Sequence, residues 1–424
     1  MTRTAAPVQA LTVETTPLDD VRRLIPFLDA DRPLLWQRGA GENLAGIAGL
    51  GEALRLEFSG PTRVADAAEA WRAISAAAHV VDPLRVPGSG LVAFGTFAFA
   101  DDSAATSVLI VPALIVGRRD GQSWLTRVSV AGGDQRVSEA QVPSSTSLGA
   151  SFGLTMTPGE LTAGGYGDAV AAVVDRIAAG EVEKVVLSRL LRAELPQGAD
   201  VRHALGELAG GYPDCWVFVV DGFLGASPET LVRVSEGRVT AQVLAGTAAR
   251  GADDDTDAGA AAELAASAKD RSEHAFAVDS VLDSLRPHTT GLRASDPFTL
   301  QLPNLWHLAS DVAGTLSDGC SALDLVDALH PTAAVAGTPR QTALAVIREL
   351  EPFDRGRYAG PVGWIGADGS GEWAVALRSA QIADADGHRT VTAFAGGGIV
   401  ADSDPVLEVA ETTMKFRPIV DAFS

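Results

Sequence analysis

Glu408, Glu411, Thr412 and Lys415 stand three, four and seven residues apart, so on a helix two carboxylates and an ammonium share one stripe. Carboxylates so placed hold a divalent cation, and a lysine beside them holds an anion. A plainer alternative is a solvated face on which Glu411 and Lys415 form an ordinary salt bridge worth roughly 0.2–0.5 kcal/mol. Just upstream, Gly396, Gly397 and Gly398 can bring bare backbone N–H groups to an anionic ligand.

Other candidates are scattered through the second half of the chain. Lys184 borders the apolar run Val185-Val186-Leu187; it either snorkels or pairs with a carboxylate, or acts as a base if its surroundings lower its pKa. Glu229 lies between Pro228 and an apolar run, exposed in the simplest case and a general acid if its pocket is apolar. Gly246 and Thr247 follow Ala245 at a strand end, where small residues let a ligand approach the backbone. In KDRSEHAFAVDSVLDSL, His274 shares a face with Val278, Val281 and Leu285 and reads as a core histidine, whereas Glu273 projects elsewhere, beside Phe276. His307 sits inside an apolar segment and spacing does not decide its role. Arg378 alternates in phase with Ala374, Ala376 and Ala380, which leaves room for bidentate capture of a carboxylate or for a structural salt bridge.

The elements that must position these groups follow from pattern. Residues 1–18 read as a loose N-terminal leader. A helix over 64–78 and strands over 91–100, 107–116 and 123–130 follow, and a serine-rich stretch at 138–151 is the best internal boundary. The second part predicts a helix over 163–179, a strand over 181–195, an antiparallel meander over 215–251 and a long helix over 269–285. A strand over 302–316, two helices around a Pro-Thr-Ala loop and a second meander then lead to the glycine turn. The last helix opens on Asp404 and Pro405, an acidic cap with proline at the first position.

Composition narrows the classes. With 33 basic against 54 acidic residues the net charge is -21, which disfavours nucleic acid and anionic membranes as partners and demands a local cation cluster or metal for any anionic substrate. Two cysteines make neither a disulfide framework nor a zinc spacing, no apolar run spans a bilayer, and no signal core opens the chain; these point to the cytoplasm. Gly396, Gly398 and Ala401 echo a dinucleotide fingerprint, but the 23 residues beyond Ala401 are too few for that unit. No Walker lysine, Gly-x-Ser-x-Gly elbow or metal-spaced histidine set is present.

VEKVVLSR, GASPETLVR, LAGTAARG, KDRSEHAF, LWHLASDVAGTL, LHPTAAVAGTPR, ELEPFDRGRYAGPVGW, GEWAVALRSAQI and AFAGGGIVADSDPVLEVAETTMK, in this order, closely resemble the chorismate-utilising enzymes, and within them the isochorismate synthases. The likeness is close over 163–422 and weaker before it. It implies an α/β (α+β) fold of two large antiparallel sheets packed face to face with helices outside. Residues 19–424 would then be one domain, 19–158 supplying the N-terminal part of the sheets and 159–424 the active site. It further implies magnesium, and conversion of chorismate to isochorismate. Carried over by position, Lys184 would activate water for attack at ring C2 and Glu229 would protonate the departing C4 hydroxyl. Glu273 and Glu411 would bind the metal with Glu408 close by through water. Arg378, Lys415, Gly396 and Gly397 would bind the enolpyruvyl carboxylate, and Gly246, Thr247 and His307 would shape the ring site.

Within the family, Ala245 stands where aminodeoxychorismate synthases of the covalent type carry a lysine. Anthranilate synthases, which require ammonia, usually lack the lysine matched by Lys184, so no glutaminase subunit is expected. Salicylate synthases share Lys184, Glu229 and the LAGT motif and are the runner-up. The other class of reading is a nonenzymatic metal-dependent carboxylate-binding protein. The resemblance leans toward menaquinone biosynthesis, with a catechol siderophore as the other destination of isochorismate.

Overall fold

The computed structural model describes residues 10–130, 143–301, 305–385 and 387–424, with the side chains of Thr247, Lys269, Glu273, Leu305 and Ala385 outside that description. The described strands form two sheets, one of 13 strands and one of 10. Trp36, Ile47, Trp124 and Phe218 from the larger sheet pack against Phe94, Ile110 and Trp364 from the smaller, so the sheets lie face to face over a shared core. Each such large apolar side chain contributes ~1.5–3 kcal/mol on burial. The outer faces are covered by helices: Arg63–Ala77 and Ala322–Leu329 over one sheet, Arg202–Gly211 and Pro405–Ala422 over the other.

A carboxylate is built into the core between the sheets. Glu372 is 1% exposed and accepts hydrogen bonds from Arg119 Nη1 and Nη2 at 2.8 and 2.9 Å and from the indoles of Trp36 and Trp364 at 3.1 Å. Burial alone would raise its pKa; the Arg119 guanidinium overrides that and holds it below the usual carboxylate range.

Both sheets mix strands from distant parts of the chain. In the larger, Lys184–Leu195 pairs with His388–Ile399, followed by Ser379–Ala385, Phe223–Ser227, Trp216–Val220 and then Leu34–Arg38. In the smaller, Leu305–Leu316, Arg238–Ala249, Thr230–Ser235 and Gly371–Val375 lie side by side. The chain therefore changes sheets twice near the candidate residues, at Pro228-Glu229 and at 376–378. The two crossings touch: Val375 N–H donates to Glu229 C=O at 3.0 Å and Ala226 N–H to Arg378 C=O at 3.1 Å. Ser227 Oγ adds a bond to Val375 C=O at 2.5 Å.

Several expectations need correction. Residues 11–18 are not a loose leader: Leu11–Leu18 is a strand paired with Gln122–Val130 and His79–Val81, burying Leu11 and Val13. Its period-two alternation, LTVETTPL, is the signal, masked by its polar content; residues 1–9 lie outside the described residues. Arg378 does not continue a strand. It sits at the sheet crossing with φ 48°, a left-handed conformation costly for a side chain larger than glycine's. Of the expected strand over 302–316, residues 302–304 lie outside the described residues, and Leu305–Leu316 is a strand. Among the described residues no helix is long and apolar enough to cross a membrane.

Candidate active site

The expected glycine turn is strand instead: Gly396, Gly397 and Gly398 lie within His388–Ile399, in register with Lys184–Leu195, where Gly398 faces Val186, Gly397 faces Leu187 and Gly396 faces Ser188. Each of the three is tightly overlain. A Cβ at Gly398 would stand 2.9 Å from Lys184 Cε, one at Gly397 2.9 Å from Glu408 Oε2, and one at Gly396 3.2 Å from the Tyr358 hydroxyl. Lys184 thus projects across its neighbouring strand over backbone that only glycine leaves open. Its own position is fixed at the strand start by pairing with Thr338 on the other side. The following helix, Arg340–Leu350, has Pro339 as its N-cap.

The last helix begins as its sequence predicts. Asp404 caps it by accepting from Val406 and Leu407 N–H at 2.7 and 3.1 Å, with Pro405 in the first turn. The polar stripe then meets the glycine segment. Lys415 Nζ donates to Gly396 C=O at 2.9 Å and pairs with Glu411 Oε1 at 2.5 Å. The i,i+4 salt bridge exists, therefore, and it stands within the site. Burial lowers the Lys415 pKa, with Glu411 opposing.

Glu408 takes a hydrogen bond from Ser403 Oγ at 2.7 Å on Oε1, while Oε2 is buried without a partner among the described residues. Burial raises its pKa, and the like charge of Glu411 raises it further. An orphaned carboxylate oxygen beside a second carboxylate, both over one bare backbone position, is a donor set that a hard divalent cation would satisfy. Among the described residues no group of three or more such ligands is assembled. The Glu273 side chain, expected as the third, lies outside the described residues, as does that of Thr247.

Glu229 is the most perturbed acid of the group. Burial pushes its carboxyl up to about 7, against the downward pull of Arg378, Lys184 and Lys415. Those opposing effects place three cations from three separate segments within electrostatic reach of one carboxyl. Arg378 feels Glu411 and Glu229 in return, while burial lowers its pKa. His307 Nδ1 lies 3.2 Å from Gly246 C=O, and burial lowers its pKa. Gly246 has φ 78° at a register shift in the strand, a bulge that only glycine adopts freely. His274 is fully buried with Nε2 2.9 Å from Ser310 Oγ, the core histidine its helical face predicts.

Two residues escaped the sequence reading. Tyr358 is buried, stacks on Phe394 with centroids 5.2 Å apart, and has its pKa raised by burial to about 12. Ser403 fixes Glu408. Neither carries a spacing signal, since each acts from a loop.

A family model described as chorismate binding enzyme matches residues 9–424. A salicylate biosynthesis isochorismate synthase of Pseudomonas aeruginosa is 34% identical over 444 residues, spanning 98% of this chain and 90% of the relative. An isochorismate synthase of Bacillus subtilis is 39% identical over 270 residues, 61% of this chain and 67% of the relative. Among solved structures, the menaquinone-specific isochorismate synthase of Escherichia coli aligns with TM-score 0.79 at 25% identity, covering 98% of this chain and 95% of that one. With a family model spanning nearly its whole length and a full-length relative above 30% identity, the chain belongs to the chorismate binding enzymes.

Proposed function

We propose that this chain is an isochorismate synthase that isomerises chorismate to isochorismate with magnesium. The observation that carries the reading is the gathering of Lys184, Glu408, Glu411 and Lys415 over Gly396, Gly397 and Gly398, with the Glu229 carboxyl pushed up to about 7 by burial. A dianionic substrate needs local positive charge in a chain of net charge -21, and an acid near pH 7 needs a raised carboxyl.

In this reading Lys184 Nζ takes a proton from water as its oxygen bonds to ring C2. The two ring double bonds shift, the C4–O bond breaks, and Glu229 donates its proton to the departing oxygen on the opposite side. Arg378 and Lys415, with the backbone at Gly396 and Gly397, hold the enolpyruvyl carboxylate; Gly246, Thr247 and His307 bound the ring. Glu411 and Glu273 would hold magnesium, with Glu408 beside them through water. When bound, the metal would neutralise and orient the ring carboxylate.

The expected single domain over 19–424 extends to include the strand Leu11–Leu18, an inference supported by strands from both halves sharing both sheets. Water is the nucleophile, so no glutaminase partner is needed. The free cysteines favour the cytoplasm. Similarity to the menaquinone-specific enzyme favours menaquinone biosynthesis, with siderophore supply as the alternative destination.

Purified protein given chorismate and magnesium, without ammonia, should yield isochorismate by product chromatography. Chelation should abolish turnover and added magnesium restore it; Glu411→Gln should raise the magnesium requirement at least tenfold. Salicylate and pyruvate as first products would move the assignment to salicylate synthase. Chorismate binding without turnover would favour a binding protein.

A further inference from the structure

The proposed isomerisation has a consequence for water. Each turnover takes in one water on the Lys184 side of the ring and makes another at C4 on the Glu229 side. With the ring between them, the second water cannot leave past the first.

Two cavities adjoin the sheet crossings. One, of ≈ 790 Å³, is lined by Arg378 and also by Arg38, Arg233 and Arg417, and Glu229 is not among its walls. The other, of ≈ 420 Å³, is lined by Glu229 and, of the described candidate residues, by no other. It runs between the helix Ala268–Leu285, which contributes Ala277 and Ser280, and the loop bearing Thr332 and Ala333. Ser280 is exposed, so the cavity reaches solvent there. Thr332 Oγ1, on its wall, is buried without a hydrogen-bond partner among the described residues. A hydroxyl in that position is ordinarily satisfied by water.

We infer that the cavity joining Glu229 to the surface at Ser280 is the port through which the water formed at C4 leaves and Glu229 regains its proton. The inference rests on the isomerase reading. A water takes about 30 Å³, so a cavity of ≈ 420 Å³ has room for several between Glu229 and Ser280.

Filling the port tests it. Ser280→Trp alters an exposed helix position, and Ala333→Phe obstructs the same cavity from the facing loop, so misfolding of one leaves the other. With magnesium and saturating chorismate, each should lower kcat about tenfold and leave KM within twofold and Tm unchanged. Ser280→Ala should behave as the unaltered protein. An isotopic readout separates a blocked port from general damage. The two isomers differ only in the placement of one hydroxyl and the diene, so the reaction runs measurably in both directions. With chorismate carrying ¹⁸O at C4, the unaltered protein should wash label out of residual chorismate as product forms. In the filled variants the trapped water returns to C4, and washout per product should fall at least fivefold. Unchanged kcat and washout in both variants would overturn the inference. So would a rise in KM alone, which would make the cavity the substrate's entrance. Absence of turnover in the unaltered protein would instead sink the isomerase reading itself.

Discussion

Replacing Lys184 by alanine is expected to lower kcat for isochorismate formation by roughly 10²–10⁴-fold, the contribution of a positioned general base. The fold should survive. Lys184 opens its strand, and the register beyond it is held by eleven pairs, from Val185 with Ile399 to Leu195 with Arg389. The side chain reaches over Gly398 and is only half-buried, so its removal opens no core cavity. Chorismate binding, measured by titration in the presence of magnesium, should change far less than kcat, because the carboxylate-binding groups belong to other segments. Lys184→Arg should not rescue, since a guanidinium stays protonated. Full activity in the alanine variant would remove Lys184 from the mechanism.

Glu229→Gln should cost a similar factor and leave a diagnostic mark in the pH profile. The donor form of Glu229 is the protonated one. With its carboxyl pushed up to about 7 from an ordinary value of 4.5, activity should fall as pH rises through about 7, and the glutamine variant should lack that limb. Stability is linked to the same proton. Between 4.5 and about 7 the folded chain holds a proton that the unfolded chain has released, so this group's contribution to stability is lost as pH rises through that window. Chemical unfolding of both proteins across the window should show the slope in the unaltered chain and its reduction in the variant. A pH profile unaltered by the substitution would mean another group donates the proton.

The local parts of this site were legible in the sequence. Asp404 and Pro405 announce the helix, the three-four-seven stripe puts Glu408, Glu411 and Lys415 on one face, and the helical face of His274 marks it as core. Those signals are short-range, and short-range geometry is what residue spacing encodes. The meeting of Lys184, Glu229, Arg378 and Lys415 is set by strand order, which spacing does not encode; only the resemblance anticipated it. Arg378 shows the limit most clearly. Its alternation with Ala374, Ala376 and Ala380 fits a continuous strand, yet the chain changes sheets there through a left-handed residue. The apolar neighbours that hide the break are the ones needed to bury the crossing. Leu11–Leu18 hides the reverse way: Thr12 and Glu14 face outward, and even Thr15, on the core face with Leu11 and Val13, is a polar residue.

The most direct test of the account is the fate of solvent oxygen. Chorismate turned over in H₂¹⁸O with magnesium should give isochorismate heavier by one ¹⁸O, located at the C2 hydroxyl, with the enolpyruvyl group retained. Unlabelled isochorismate would contradict water activation by Lys184, and salicylate with pyruvate as the first products would contradict the assignment.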